Sequence, residues 1–291
     1  ATANAPVATY QTVRTAQTSQ RAMLRQLELP MESFGRISRR CAERGIAFLA
    51  TPFADSDVTH LAAVGAAAIK IASTDLVDVA LLERACGADL PIILSTGAAD
   101  EDEIAQAVQR IEACGARERL VLLHCVSAYP TAMDHANLRA VRTLQDRFAT
   151  IVGYSDHTTS THTGALAVAA GACLLEKHFT LDRHAPGPDH AMSLEPPALA
   201  EYIRLARQAR QALGTGSLAV QRIEREVRDV GRKIIVAARD ISRGETLTAD
   251  MLASRRAGRG LLPTQMAKLL GRRTAVAVEA DTPLVWEMLR A

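Results

Sequence analysis

Two histidines occupy chemically telling points in the chain. His157 closes the run IVGYSDH from Ile151, and His178 lies in LLEKHFT from Leu174, each after a short apolar stretch. If those stretches are neighbouring strands, the two imidazoles come within about 5 Å of each other. Such a pair can hold one divalent cation and leave positions for water and substrate oxygens. Imidazoles so placed can equally well hydrogen-bond carbonyls at a rim, and the pair lacks the third protein ligand usual in zinc enzymes. His124, midway along LVLLHCVS, reads as a structural residue satisfied within the fold.

A second set points to an anion. Lys70 precedes Ser73 by three residues, and Ser95, Ser127 and Ser155 end the apolar runs that follow. Hydroxyls and an ammonium converging on one place suit a phosphate or carboxylate, because each supplies a donor to a multi-oxygen anion. Small residues also end strands merely to let a loop turn, but the Lys is a scarce choice. Of 34 Lys and Arg residues only Lys70, Lys177, Lys233 and Lys268 are Lys. Asp189 and His190, in the Gly/Pro-rich GPDH, and Tyr129, in AYPT, are further candidates for contacting a polar substrate, although charged loops are often only solvated and Tyr129 could simply pack.

These residues need elements to position them. The apolar runs IAFLATPF, AAIKIAS, PIILSTG, LVLLHCVS, IVGYSDH and LLEKHFT start at residues 46, 67, 91, 120, 151 and 174. Helical spacing fills the gaps, as in EDEIAQAVQRIEACG, with Asp100 and Gly115 where caps belong. The pattern predicts a βα alternation and a parallel sheet covered by helices. Thr51, Ser73, Ser95 with Thr96, Ser127, Ser155 with His157, and His178 put a polar group at nearly every strand end. A doubly wound sheet concentrates its site at one switch point, whereas a barrel gathers residues from many strand ends at one mouth, so the expected fold is a TIM-type (β/α)8 barrel. No phosphate-binding glycine motif follows any strand. Only six strands are visible, preceded by helices over 19–27 and 31–44, and the expectation is that the first βαβ unit is missing, leaving the barrel incomplete.

Beyond Gly214 the character changes. Residues 1–214 read as the partial barrel, 215–231 as an Arg/Glu-rich linker, and 232–291 as a small β-rich module with strands at KIIVAARDI and RTAVAVEA. All eight histidines lie between His60 and His190, so chemistry belongs to the first domain. A formal charge of +2 excludes polyanion binding by bulk charge, and 3% aromatic residues leave no stacking platform for bases. No apolar run can span a bilayer of about 30 Å and no leader is evident, which points to a cytoplasmic protein without membrane partners. The five cysteines, with no CxxC pair, read as buried free thiols. The stretch from Ala1 is polar and Thr-rich, without a period.

At SQRAMLRQLEL, FLATPF, IKIASTD, ILSTG, LHCVSAYPT, GYSDHT, EKHFTLDRHAPGPDH and SLEP the chain resembles the N-acetylneuraminate (sialic acid) synthase family, which includes legionaminate, pseudaminate and spore-coat polysaccharide synthases. VAARDISRGETLTADML and RRAGRG are similar to that family's antifreeze-like (SAF) domain. The resemblance implies condensation of phosphoenolpyruvate with an N-acetylated hexosamine, with Mn2+ or Mg2+. It implies that His157 and His178 are metal ligands and that Lys70, Ser73, Ser95, Ser127 and Ser155 form the phosphoenolpyruvate pocket, with some members carrying Asn at the position of Ser127. Tyr129 and Asp189 would stand by the sugar. Arg256 would reach a partner's site in a domain-swapped homodimer, although the family's RPG is here RAG, with Ala257. The resemblance further implies that a Glu and a Lys-containing motif on the two absent strands complete the site, so that this chain alone is expected to be inactive. Kept beside this reading are a different metal-dependent barrel aldolase, whose Schiff-base form would need Lys70 or Lys177, and a catalytically dead carbohydrate-binding relative.

Overall fold

The structure, a computed structural model, describes residues 1–2, 5–8, 11–12 and 19–290. Much of the Thr-rich opening stretch therefore lies outside the described residues. The chain divides into two compact units, Ala1–Thr215 and Gly216–Ala291.

In the first unit, β1 (Ile69–Ile71), β2 (Ile92–Ser95), β3 (Leu120–Cys125), β4 (Ile151–Asp156) and β5 (Leu175–Lys177) form one sheet in sequential order. Every neighbouring pair is parallel. Helices Val79–Cys86, Glu101–Ala113, Arg139–Phe148 and Thr163–Ala169 make the crossovers, and Pro196–Leu213 follows β5. The fold is the expected α/β one, a curled half-barrel.

Period-two alternation separates the two faces of the sheet. Ile69, Ile71, Ile92, Leu94, Leu122 and Val152 pack outward with helix residues such as Leu82, Val108, Ile111 and Val141 into the main core. Each fully buried side chain of this size stabilises by about 1.5–3 kcal/mol. Inward, Ala68, Ile93 and Leu123 form a small separate cluster, flanked by Val121 and Leu174. That cluster floors the inner face, and two positions further along lie Lys70 on β1, Ser95 on β2 and Glu176 on β5. Among the crossover helices, Glu101–Ala113 is capped at its start by a reciprocal pair. The Asp100 carboxylate accepts from the Glu103 amide at 2.9 Å while the Glu103 carboxylate accepts from the Asp100 amide at 3.0 Å. Gly115 then turns the chain with φ +70.

Three expectations are corrected. The run from Ile46 is not a strand of the sheet: it touches β1 through one bridge, Ala50 to Ile69, and a bond from the Ala67 amide to the Phe48 carbonyl at 2.9 Å. Pro52 can donate no ladder bond, and the exposed Ile46 and Phe53 have no second layer to cover them. Cys86 and Cys125 are buried as expected, but Cys114 and Cys173 are exposed. In the second unit β6 (Lys233–Ala237) pairs antiparallel with β7 (Leu252–Arg256), not with RTAVAVEA, which contributes only isolated bridges such as Ile241 to Val278. Charges at Arg255 and Arg256 disguise β7 in the sequence. The second unit has its own core around Ile235, Leu252, Leu261, Leu269 and Leu284. Before β6 lie a 3-10 turn at Arg222–Glu224 and a short helix at Arg225–Gly231. Among the described residues no helix is long and apolar enough to cross a membrane.

Candidate active site

The polar layer begins at Lys70. Its ammonium donates to the Ser95 hydroxyl at 2.8 Å and to the Ile71 carbonyl at 3.1 Å, and lies 3.7 Å from Glu176. Glu176 in turn accepts the Ser155 hydroxyl at 2.6 Å. Three strands and the neighbouring β1 thus deliver one ammonium, two hydroxyls and a carboxylate to one place. Lys70, Ser95 and Ser155 are all buried, so an anion arriving here meets donors already stripped of bulk water. A cavity of about 300 Å³ beside them is lined by Thr51, Lys70, Ile93, Leu174 and Glu176.

Ser73 and Ser127 form a second, more exposed pair, their hydroxyls 3.3 Å apart. Gly97 lets the turn after β2 approach Ser127 and Cys125, because a Cβ there would fall 2.5 Å from the Cys125 sulfur. The five predicted anion-site residues therefore divide into a buried set on the sheet and an outer pair on the loops.

Two residues beyond Ser155 and Glu176, on the same inner face, stand the two histidines. Their ring centroids are 5.5 Å apart, and the Tyr129 ring packs against both, at 4.3 Å from His157 and 6.0 Å from His178. His157 donates from Nδ1 to the Val126 carbonyl at 2.7 Å, so its Nε2 carries the lone pair. Burial holds His157 below the ordinary imidazole pKa, and burial does the same to His178 against the opposing pull of Asp189. Asp189 lies 3.9 Å from His178 Nδ1 and is half exposed at the mouth. Two imidazoles side by side offer two nitrogen lone pairs, and among the described residues no group of three or more His, Cys, Asp or Glu side chains gathers for a metal.

His124 takes the structural role its position suggests: it is buried, faces outward, bonds the Ala136 carbonyl at 3.0 Å and stacks on Tyr154. Lys177 also faces outward, against Asp156. Arg256 ends β7 in the second unit, exposed and in register with Lys233. Glu176, which the residue pattern sets beside His178 but gives no role, is the further candidate. Alternation along β5 already places it on the face of Leu174 and His178, but a charged residue between Leu175 and Lys177 reads as solvated surface until its register with Ser155 is known.

A family model described as the NeuB family matches residues 1–218, and a SAF domain model matches residues 232–290. The chain belongs to the NeuB family. It is 35% identical over 276 residues to the N,N'-diacetyllegionaminic acid synthase of Legionella pneumophila, covering 94% of this chain and 78% of that protein. To human N-acetylneuraminate-9-phosphate synthase it is 32% identical, over 91% of this chain and 74% of the human one. The crystal structure of N-acetylneuraminic acid synthetase from Leptospira borgpetersenii, in complex with citrate, superposes with a TM-score of 0.67 at 37% identity, over 70% of this chain and 71% of that one. NeuB relatives are thus sialic and other nonulosonic acid synthases, and this chain is a condensing enzyme of the transferase type acting on small molecules.

Proposed function

We propose that this NeuB chain builds the site at which phosphoenolpyruvate condenses with an open-chain N-acylated amino sugar of the N-acetylmannosamine type, giving a nonulosonic acid and inorganic phosphate. The observation that carries the reading is the convergence of Lys70, Ser95, Ser155 and Glu176 with Tyr129, His157 and His178 on one face of the sheet. Lys70 and the two serines bind the phosphate and carboxylate oxygens, with Ser73 and Ser127 contacting the same ligand from the loops. C3 of phosphoenolpyruvate attacks the aldehyde carbon, whose C=O π pair moves onto oxygen and takes up a proton to become a hydroxyl. Water adds at C2 and gives up a proton, and the C2–oxygen bond to phosphate breaks with its electron pair leaving on phosphate as the C2 hydroxyl loses its proton to become the ketone. Glu176, the carboxylate among these groups, is placed to take the proton that the added water gives up. Tyr129 and Asp189 orient the sugar at the mouth.

His157 and His178 would hold Mn2+ or Mg2+, with the remaining positions filled by substrate oxygens and water. A cation there supplies Lewis-acid polarisation of the aldehyde oxygen and orientation of water. The neutral state that burial favours in both rings supports this assignment. The five-stranded sheet is open, and we infer that it works within a barrel closed by further strands. Arg256 of one subunit serves the site of its partner in a domain-swapped homodimer.

Calorimetric titration of phosphoenolpyruvate tests the reading. Lys70→Met should weaken binding about 10–100-fold, the loss of a charged hydrogen-bonding partner. Binding indifferent to Lys70, or phosphate release that needs no sugar, rejects the reading. The 291-residue chain on its own should release no phosphate, and sugar- and metal-dependent release from it would show that the open sheet suffices.

A further inference from the structure

We propose that Lys177 and Asp156, on the outer face of the sheet, are positioning residues that set the separation of His157 and His178 on the inner face. Asp156 and Lys177 are register partners at the last rung of the β4–β5 ladder, one residue short of the two imidazoles. Consecutive strand residues point to opposite faces, so this ion pair stands directly behind the histidine pair.

The ammonium does more than neutralise a carboxylate. It lies 3.3 Å from Asp156 Oδ1 and donates to the backbone carbonyl of Asp156 at 3.2 Å and to that of Thr158. Those two carbonyls flank His157 in the chain. Asp156 Oδ1 also accepts the Thr158 amide at 2.8 Å, closing the same turn from the other end of the pair. A side chain of β5, the residue before His178, therefore grips the backbone on both sides of His157. Just beyond β3, the Val126 carbonyl fixes the His157 ring, and the His157 carbonyl accepts from the Thr131 amide at 2.9 Å. The ring is thus held from both neighbouring strands.

The grip is walled in. The Lys177 and Asp156 side chains are 4% and 0% exposed. The Tyr202 ring lies 5.6 Å from the ammonium, and Gly164 admits that ring, since a Cβ there would collide with it. The Tyr202 hydroxyl approaches the carboxylate without closing a hydrogen bond, and Asp156 Oδ2 has no partner. An apolar pair of the same volume would join sheet to helix as well. What only a cation can do here is bind acceptors on both sides of one histidine.

The inference rests on the metal reading of the two histidines for only one of its two measurements. The first uses the metal-free 291-residue chain, isotopically labelled at His and Tyr, and reads nuclear Overhauser contacts from the Tyr129 ring to each imidazole. The double variant Asp156→Asn/Lys177→Met leaves no unpaired buried charge, and its contact to His178 should weaken relative to that of His157. Asp156→Glu, which keeps the pair but lengthens it, should shift the same contacts, whereas Lys177→Arg, which keeps a cation for the three acceptors, should preserve them. The second measurement is Mn2+ affinity by electron paramagnetic resonance, expected to fall about 10–100-fold in the double variant, as when groups that orient metal ligands are removed. Ring contacts unchanged in both the double variant and Asp156→Glu overturn the proposal. If Mn2+ binding proves indifferent to His157→Ala and His178→Ala, the metal reading fails, and the metal-free ring contacts alone decide the positioning role.

Discussion

His124 and His157 show how a backbone carbonyl decides what an imidazole can do. Each donates one ring nitrogen to a main-chain oxygen, Ala136 for His124 and Val126 for His157, yet one faces helices and the other faces the mouth. For His124 the consequence is a pH effect on stability. Burial holds its pKa below the ordinary 6.5, so the unfolded chain takes up a proton more readily than the folded one. Its contribution is therefore fully present above that value and is lost as pH falls from there towards the lowered folded pKa. Thermal melts at about pH 7.5 and about pH 5 should show a drop in melting temperature that is smaller in His124→Gln, which keeps a donor for Ala136. An equal drop in the two proteins would assign the effect elsewhere. Glu176 belongs to the same scale: its role emerges from two contacts, Ser155 on the adjacent strand and Lys70 on the first.

At the level of elements, the inner face depends on how closely the strands lie. Gly153, on β4 between the inner residues Leu123 and Leu174, has no room for a side chain: a Cβ would fall 2.5 Å from the Leu174 carbonyl oxygen and 2.6 Å from Leu123 Cδ2. Because one of those neighbours is backbone, the clash cannot be relieved by a rotamer change. Gly153→Ala should destabilise by about 1–3 kcal/mol in denaturant unfolding, and a variant as stable as the parent would mean that β4 and the segment before β5 can part freely. The same two strands bear Ser155, His157, Glu176 and His178, so this spacing also sets the geometry of the proposed site. The parallel strands themselves were legible, because each is a short apolar run followed by a helical stretch. Legibility failed at the run from Ile46, which looks like its neighbours but lies at an edge, and at β7, whose arginines resemble a loop.

For the whole molecule, the histidines, Lys70 and the strand-end serines all belong to the first unit, and the second is a small β module with a core of its own. The proposed domain-swapped dimer makes a direct prediction. Light scattering behind size exclusion should give twice the 31.2 kDa chain mass, and a monomer at micromolar concentration would remove Arg256 from the proposed site. Sequence alone determined the βα order, the polar strand ends and the change of character after Gly214, because hydrophobic period and turn chemistry are local properties. Tertiary structure alone decided which of those strand ends meet. Register brings Ser155 beside Glu176 and Asp156 beside Lys177, and sheet curl carries Lys70 from the first strand to within reach of the last. Contacts between residues a hundred positions apart depend on how strands align and bend, and no local pattern encodes that.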